Sequence, residues 1–519
     1  MTKKTIFLLI LGIIFTRFIL LSKIPLALNR DEAAIGWNAY SIIKTLKDEH
    51  GQFLPINFKS IGDYKMPLYI YASILPIKLF GLNEFSVRFW SSFSGGIQVF
   101  AIYFITKKLL KSKKTALISS LFLLFNPWAV FYSRIAFEAN LALAFFMVGT
   151  LLILKEKLIV GLFLYLLSCL TYSSSLILIP IFCLILFILN KNLRQKQMII
   201  AWSVFTLLFL LIFGIVFKTS SQKSAISIFS NPTIIDTYNK TRTNVYAYNQ
   251  LLAKFWYNKP IYLFRIWLKN YLNTFSLRFL IFEGGHHPWH RILYLGNFYI
   301  TEIILALIGL YSLIKSKIKQ NYKLLIISWL LISPLASAIT IDAPHTTRSL
   351  FLLPITIILA AFGASHLLKK TKKPITKGLL LATYLLSLIY GGYRYISTYP
   401  KFFPQDIPAG LKQALEYTDQ KSITGKIYLT DIQNSTYLYP AFHNQLSPSR
   451  FQEESIWTKE DVVGLSNAYQ FDNYYIVNDL NDITDPSVII LPISQTPTQL
   501  FDSLKLEYQN NYYQVYIKE

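Results

Sequence analysis

Apolar runs of about 20 residues recur along this chain, and no other feature constrains its fold as much, because a helix of that length matches the hydrocarbon thickness of a bilayer. They lie near 5–22, 88–108, 115–133, 139–154, 158–173, 174–190, 198–217, 299–315, 323–341, 349–368 and 375–396. Inside lipid every backbone N–H and C=O must be satisfied within its own segment, so each run predicts a helix. Together they predict an all-α polytopic membrane protein with about 11 transmembrane helices. The basic clusters between the runs set its orientation. With Lys3 and Lys4 inside, "KKLLKSKK" (107–114), "KEK" (155–157), "NKNLRQKQ" (190–197), "KSKIKQNYK" (315–323) and "KKTKKP" (369–374) all fall on the same inner side, which is the positive-inside pattern. "MPLYIYASILPIKLFG" (66–81) would break that parity. Its 16 residues and two prolines assign it to an interfacial or re-entrant segment on the outer face.

Composition agrees. With 53% apolar, 16% aromatic and 15% charged residues among 519, the chain is too apolar for an ordinary soluble enzyme. The net charge of +24 sits in short clusters between apolar runs, so it points to the lipid bilayer and not to nucleic acid. Cys169 and Cys183 both lie in apolar runs and imply no disulfide framework. The N-terminal run lacks a small-residue cleavage site and is followed by many like it, which predicts a retained anchor.

Parity places the remaining polarity outside: outer loops 23–87 and 218–298, the stretch around 133–140, and "DAPHTTRSLF" (342–351). The expectation is a multi-pass plasma-membrane protein whose active site faces outward. Residues 231–260, rich in Tyr and Asn, predict an extended outer loop with an amphipathic helix. Beyond the membrane domain (1–396), "IYLTD", "YYIVND" and "SVIILPI" alternate with turn residues and predict a small extracytoplasmic α/β domain over 397–519. The inner loops are short and basic and carry no P-loop or Rossmann glycine pattern, so a cytoplasmic nucleotide has no place to bind.

The ordered motifs "RDEA" (30–33), "YKMPLY" (64–69), "FSVRFWSSFSG" (85–95), "NPWAVFYSRIAFEANL" (126–141) and "PHTTRSLFLLP" (344–354) carry a resemblance. Their order and spacing, over roughly residues 1–400, are similar to the GT-C glycosyltransferases of the glycosyltransferase family 39 type. That family includes the protein O-mannosyltransferases and the bacterial aminoarabinose transferases. The resemblance implies inverting transfer of a sugar, most commonly mannose, from a polyprenyl-phosphate carrier to an acceptor protein, lipid or glycan outside the cytoplasm.

Such a reaction needs a carboxylate to take the proton of the attacking hydroxyl. The resemblance gives that role to Asp31, with Glu32 orienting its surroundings or holding a divalent cation; the plain alternative is that both acids merely cap a helix. The departing phosphate needs cations. Lys65 matches the lysine of the family's Tyr-x-Lys-Pro-Pro pattern, with Met66 where the first proline often stands, a departure expected to alter the local turn. His345 and Arg348 are expected to begin a helix whose free N–H groups assist anion binding; a snorkelling arginine is the plain alternative. Arg88 reads as structural or phosphate-side. Arg134 and Glu138, four apart, are expected to share a helix face, with Glu138 as a sugar or acceptor contact or as half of a structural clamp. In "FEGGHHPWHR", His286, His287 and His290 with Glu283 give a His-x-x-x-His spacing that on a helix would align two imidazoles and, with carboxylates, suit a zinc-like ion, but two glycines and a proline argue against that helix. A flexible loop touching carrier or acceptor is expected there, with no bound metal. Trp289 and Tyr294 suit either sugar stacking or interface anchoring. The rival readings are a lipid-linked glycan polymerase and a polysaccharide flippase or other transporter.

Overall fold

In the computed structural model, helices fill the apolar runs but differ in whether they are long enough to span a bilayer. The structure describes residues 1–61, 63–220, 226–371, 373–399, 408–421, 425–431, 435–460, 466–478, 483, 487–495 and 504–518. Among the described residues, four helices within Met198–Val216, Gln320–Ala338, Leu352–Lys370 and Lys377–Ser397 are long and apolar enough to cross a membrane. A fifth is obtained if Lys113–Phe125 and Pro127–Ser133, bent by 57°, form one span. The expected eleven crossings are not reached by this measure, for reasons of length and polarity. Glu138–Leu154, Leu158–Thr171 and Ser175–Leu189 have 17, 14 and 15 residues, so at about 1.5 Å per residue they fall short of a core about 30 Å thick. Glu84–Leu110 is 27 residues long, but Arg88, Gln98 and a row of serines and glycines dilute its apolar character. Pro67–Phe80, in the stretch expected at the interface, is an apolar helix of 14 residues.

The chain divides into two compact units. The first comprises residues 1–17, 93–133 and 138–395. Its helices pack through small residues, as membrane helices do. A Cβ on Gly309 would lie 1.9 Å from the Leu359 carbonyl oxygen, and one on Gly363 2.0 Å from that of Leu305. Only glycine lets Ile300–Lys315 and Leu352–Lys370 approach so closely. The segment 231–260 is not an extended loop. It forms Pro232–Tyr248, Gln250–Trp256 and the start of Lys259–Asn273, each opened by an asparagine, Asn231, Asn249 or Asn258, whose side chain accepts a first-turn N–H. The asparagines read as loop formers are N-caps, and Pro232 and Pro260 occupy first-turn positions where no N–H is needed.

The second unit joins residues 18–92 and 134–137 to 396–519. It holds a two-stranded sheet, β1 (Phe58–Ser60) and β2 (Asp63–Lys65), and a seven-stranded one. The strands of the latter are β3 (Lys426–Thr430), β4 (Ile456–Trp457), β5 (Ala468–Phe471), β6 (Tyr474–Val477), β7 (Ser487–Pro492), β8 (Leu504–Gln509) and β9 (Tyr513–Lys518), in the order β4-β5-β6-β3-β7-β9-β8. β3 is parallel to both β6 and β7. These are the three expected strand stretches, and β7 is buried over Ser487–Leu491, the continuous apolar run typical of a central strand.

The C-terminal segment grips the helix Arg30–Thr45. Helices Leu438–His443 and Pro448–Glu454 pack on it. A Cβ on Gly36 would overlap the Phe442 ring at 2.3 Å, Trp37 meets Phe451 edge-on at 5.3 Å, and Gln452 Nε2 donates to Ser41 Oγ at 2.9 Å. Below that helix Asn38 Nδ2 donates to Glu49 Oε1 at 3.1 Å, and the Tyr437 hydroxyl donates to Glu49 Oε2 at 3.4 Å. Burial pushes the Glu49 carboxyl up to about 8. Burial also pushes His50, whose ring is tilted against that of Trp457 at 4.3 Å, down to about 4.

Candidate functional site

The adjacent acids of "RDEA" have opposite surroundings. Asn29 opens the helix Arg30–Thr45 by accepting the Glu32 N–H at 2.9 Å, and Glu32 Oε2 accepts the Asn29 N–H at 3.1 Å, a reciprocal capping box. Glu32 Oε1 also accepts from Arg88 Nε at 2.8 Å and from the Ala136 N–H at 3.0 Å, and Oε2 from Arg88 Nη2 at 3.2 Å. Arg88 spends its remaining donors on the carbonyls of Leu21, Pro25 and Ala27 at 2.9, 3.0 and 2.8 Å. Five guanidinium N–H groups and four carboxylate acceptor sites are thus used. The side chains are 0% and 1% exposed. A buried pair so completely satisfied has nothing left to offer a substrate.

Asp31 is one residue earlier and so about 100° round the helix. Its side chain is 21% exposed, and Oδ1 accepts from Lys65 Nζ at 2.9 Å. Lys65 ends β2, held in register opposite Phe58 of β1. Met66 then has φ −66° and ψ 145° before Pro67 opens the next helix. That φ is the one a proline ring imposes, so the backbone at Met66 has a conformation that a proline would also adopt. Arg134 Nη2 donates to the carbonyls of Ile19 and Ile24 at 2.8 and 3.0 Å. Residues 134–137 form a break between Pro127–Ser133 and Glu138–Leu154, so Arg134 and Glu138 do not share a helix face as expected. Glu138 is the buried first residue of its helix, where an acid complements the dipole.

The second cluster, within the first unit, is built round an acid that the sequence reading passed over. Asp342 Oδ1 pairs with Arg348 Nη1, which also donates to Thr340 Oγ1 at 3.1 Å. On the other side, Asp342 Oδ2 is 3.3 Å from His287 Nε2 and 3.6 Å from His345 Nε2. The His290 ring lies 4.8 Å from that of His345 and 5.6 Å from that of His287. Burial alone would raise the Asp342 carboxyl, but the His287 hydrogen bond and the positive charge of Arg348 overcome it and hold the carboxyl well below its ordinary range. Burial, then the positive charge of Arg348, keeps His345 neutral.

Two expectations change here. His345 and Arg348 stand in a turn, since the following helix begins only at Leu352; the prolines at 344 and 354 and the preceding loop delay it, and no helix N-terminus assists them. Of the histidine loop, His286 is exposed and outside the cluster while His287 enters it. The loop forms only a short 3-10 turn at Pro288–His290, so the two glycines and the proline do prevent a metal-aligning helix. His287, Asp342 and His345 nevertheless bring ligand-type atoms within 4.8 Å of one another, a juxtaposition that needs residues 55 apart in sequence.

Comparison with known proteins adds two findings. Residues 7–223 match the family model of dolichyl-phosphate-mannose-protein mannosyltransferases. This segment contains Asp31, Glu32, Lys65, Arg88, Arg134 and Glu138, while His286, His290, His345 and Arg348 lie beyond it. The structure is similar to ArnT from Cupriavidus metallidurans in the apo state, with 10% identity and a TM-score of 0.53 over 99% of this chain and 97% of that one. It is also similar to the same protein bound to undecaprenyl phosphate, with 11% identity and a TM-score of 0.51 over 100% and 98% of the two chains. At such identity the likeness is one of fold. No curated protein sequence matches. The resemblance to GT-C glycosyltransferases drawn from the motif order is borne out.

Proposed function

We propose that this chain, a membrane glycosyltransferase with the GT-C fold, moves a sugar from a polyprenyl-phosphate carrier to an acceptor hydroxyl, with Asp31 as general base. The observation that carries this reading is the contrast between the two acids. Glu32 and Arg88 saturate each other and fix the first turn of the helix. Asp31 is then presented on rigid backbone, partly exposed, with its charge stabilised by Lys65 at 2.9 Å. A carboxylate in that state accepts a proton from an attacking hydroxyl as the bond to the anomeric carbon forms. One base suffices for a single inverting displacement, so Glu32 serves as a support and not as a second catalytic acid.

The leaving group is a lipid phosphate, of which undecaprenyl phosphate, the ligand of the related ArnT, is the natural choice. Arg348, with His287, His290 and His345 around it, supplies donors for an anion. Mannose is the sugar favoured by the family match over residues 7–223. The basic clusters support a multi-pass plasma-membrane protein acting on its outer face. The test is transfer of label from undecaprenyl-phosphate mannose, scored as loss of label from the carrier by purified protein in lipid. Turnover by the wild type and its loss in Asp31→Asn are expected; full activity in that variant overturns the assignment.

A further inference from the structure

Arg348 is held on one side only. Both hydrogens of Nη1 are committed, to Asp342 Oδ1 and to Thr340 Oγ1. Among the described residues, Nε and Nη2 of Arg348 have no hydrogen-bond partner, and neither is sealed from solvent. A guanidinium presents two parallel forks, and with Nη1 occupied the intact one is the Nε–Nη2 edge, the geometry that grips two phosphate oxygens at once.

We propose that Asp342 is a positioning residue, which with Thr340 fixes Nη1 of Arg348 so that the Nε–Nη2 edge is aimed at the phosphate of the lipid carrier. The inference rests on the phosphate-binding role given to Arg348 above. Thr340 is fixed in turn: its oxygen atoms are tied on both sides, the carbonyl accepting from Asn270 Nδ2 at 3.0 Å and the hydroxyl donating to the Ser337 carbonyl at 2.8 Å. His287 Nε2 bonds the other carboxylate oxygen at 3.3 Å, with His345 Nε2 beside it at 3.6 Å, so Asp342 is held from both sides and keeps Arg348 in one rotamer.

A metal ion shared by His287, Asp342 and His345 is the competing use of these atoms, and the tautomer of His345 argues against it. The Thr347 N–H donates to His345 Nδ1 at 3.2 Å, so the neutral ring carries its proton on Nε2, the atom that faces Asp342. A ligating Nε2 would have to be bare, with Nδ1 as the donor.

The test uses the full chain in lipid nanodiscs and undecaprenyl phosphate as the probe, with affinities measured for the wild type, Arg348→Ala, Asp342→Asn and the double variant. Each single change is expected to weaken binding about tenfold, and the double variant is expected to bind no more weakly than Arg348→Ala alone, because a residue that acts through Arg348 has no effect once Arg348 is gone. Asp342→Glu, which keeps the charge, is expected to recover part of the loss. If Asp342→Asn lowers the melting temperature sharply, Thr340→Val replaces it, with a smaller loss that likewise vanishes in the Arg348→Ala background. Losses that multiply, or an Asp342→Asn variant of full affinity, overturn the positioning role. So does stoichiometric zinc that Asp342→Asn loses and whose chelation reproduces the defect. An Arg348→Ala variant of unchanged affinity overturns the phosphate assignment itself, a result distinct from the others.

Discussion

The two polar clusters treat an acid in opposite ways. In the second unit Glu32 is consumed by one arginine and two backbone N–H groups, and its neighbour Asp31 is partly exposed and pairs with Lys65. In the first unit a single acid, Asp342, gathers an arginine and two histidines, which leaves donors in excess. The difference teaches that sharing decides function. A partly exposed, ionised acid suits the role of a base, and an acid shared among several donors suits that of a scaffold for them.

The strongest way to break this comparison is Asp31→Asn. Sugar transfer is expected to fall by about a hundredfold to ten-thousandfold without loss of fold, measured by carrier label and by melting temperature on the same sample. Next, Arg88→Met leaves the buried Glu32 charge unpaired and is expected to cost about 3–5 kcal/mol of stability, read by thermal or denaturant unfolding. Changing Glu32 to Met as well is expected to return part of that loss; an additive double variant would show that the pair is not the coupled support described.

A smaller effect separates the base helix from its footing. Glu49 titrates near 8 when folded against an ordinary 4.5, so between those values the folded state holds a proton that the unfolded state lacks, and stability falls as pH rises. His50 and His443, pushed by burial from 6.5 to about 4, act in the opposite direction, but only below their ordinary value. Between about pH 6.5 and 8 the Glu49 slope therefore stands alone among these three, at no more than about 1.4 kcal/mol per pH unit. Glu49→Gln is expected to flatten it in unfolding curves taken across that range. The smallest contrast lies in the histidine loop: His286→Ala is expected to change stability and carrier affinity by less than about 0.5 kcal/mol, while His287→Ala weakens undecaprenyl phosphate binding several-fold. Equal effects would mean that the loop acts through its flexibility and not through the contact with Asp342.

Much of this was legible in the chain. Helices fall in the apolar runs, because the composition of such runs is a local property, although several of those helices are shorter than a bilayer is thick. The three C-terminal strand stretches were readable for the same reason. The resemblance to GT-C glycosyltransferases was legible through motif order. Local reading failed where one residue type has two uses. Asn231, Asn249 and Asn258 suit a loop or a cap equally well, and only the helices that follow them settle which. Asp342 carried no motif, and its value comes from partners at 287, 345 and 348.

By itself, then, the sequence determined that this is a membrane-embedded helical protein with a small C-terminal sheet, and it marked Asp31 as an acid worth testing, since hydrophobic period and residue chemistry are written along the chain. The partners of these carboxylates were decided only in the tertiary structure. It locked Glu32 to Arg88, left Asp31 to Lys65 and set Asp342 behind Arg348. Those pairings span 6 to 56 positions, and a side chain's hydrogen-bond account closes only when distant segments are brought within about 3 Å.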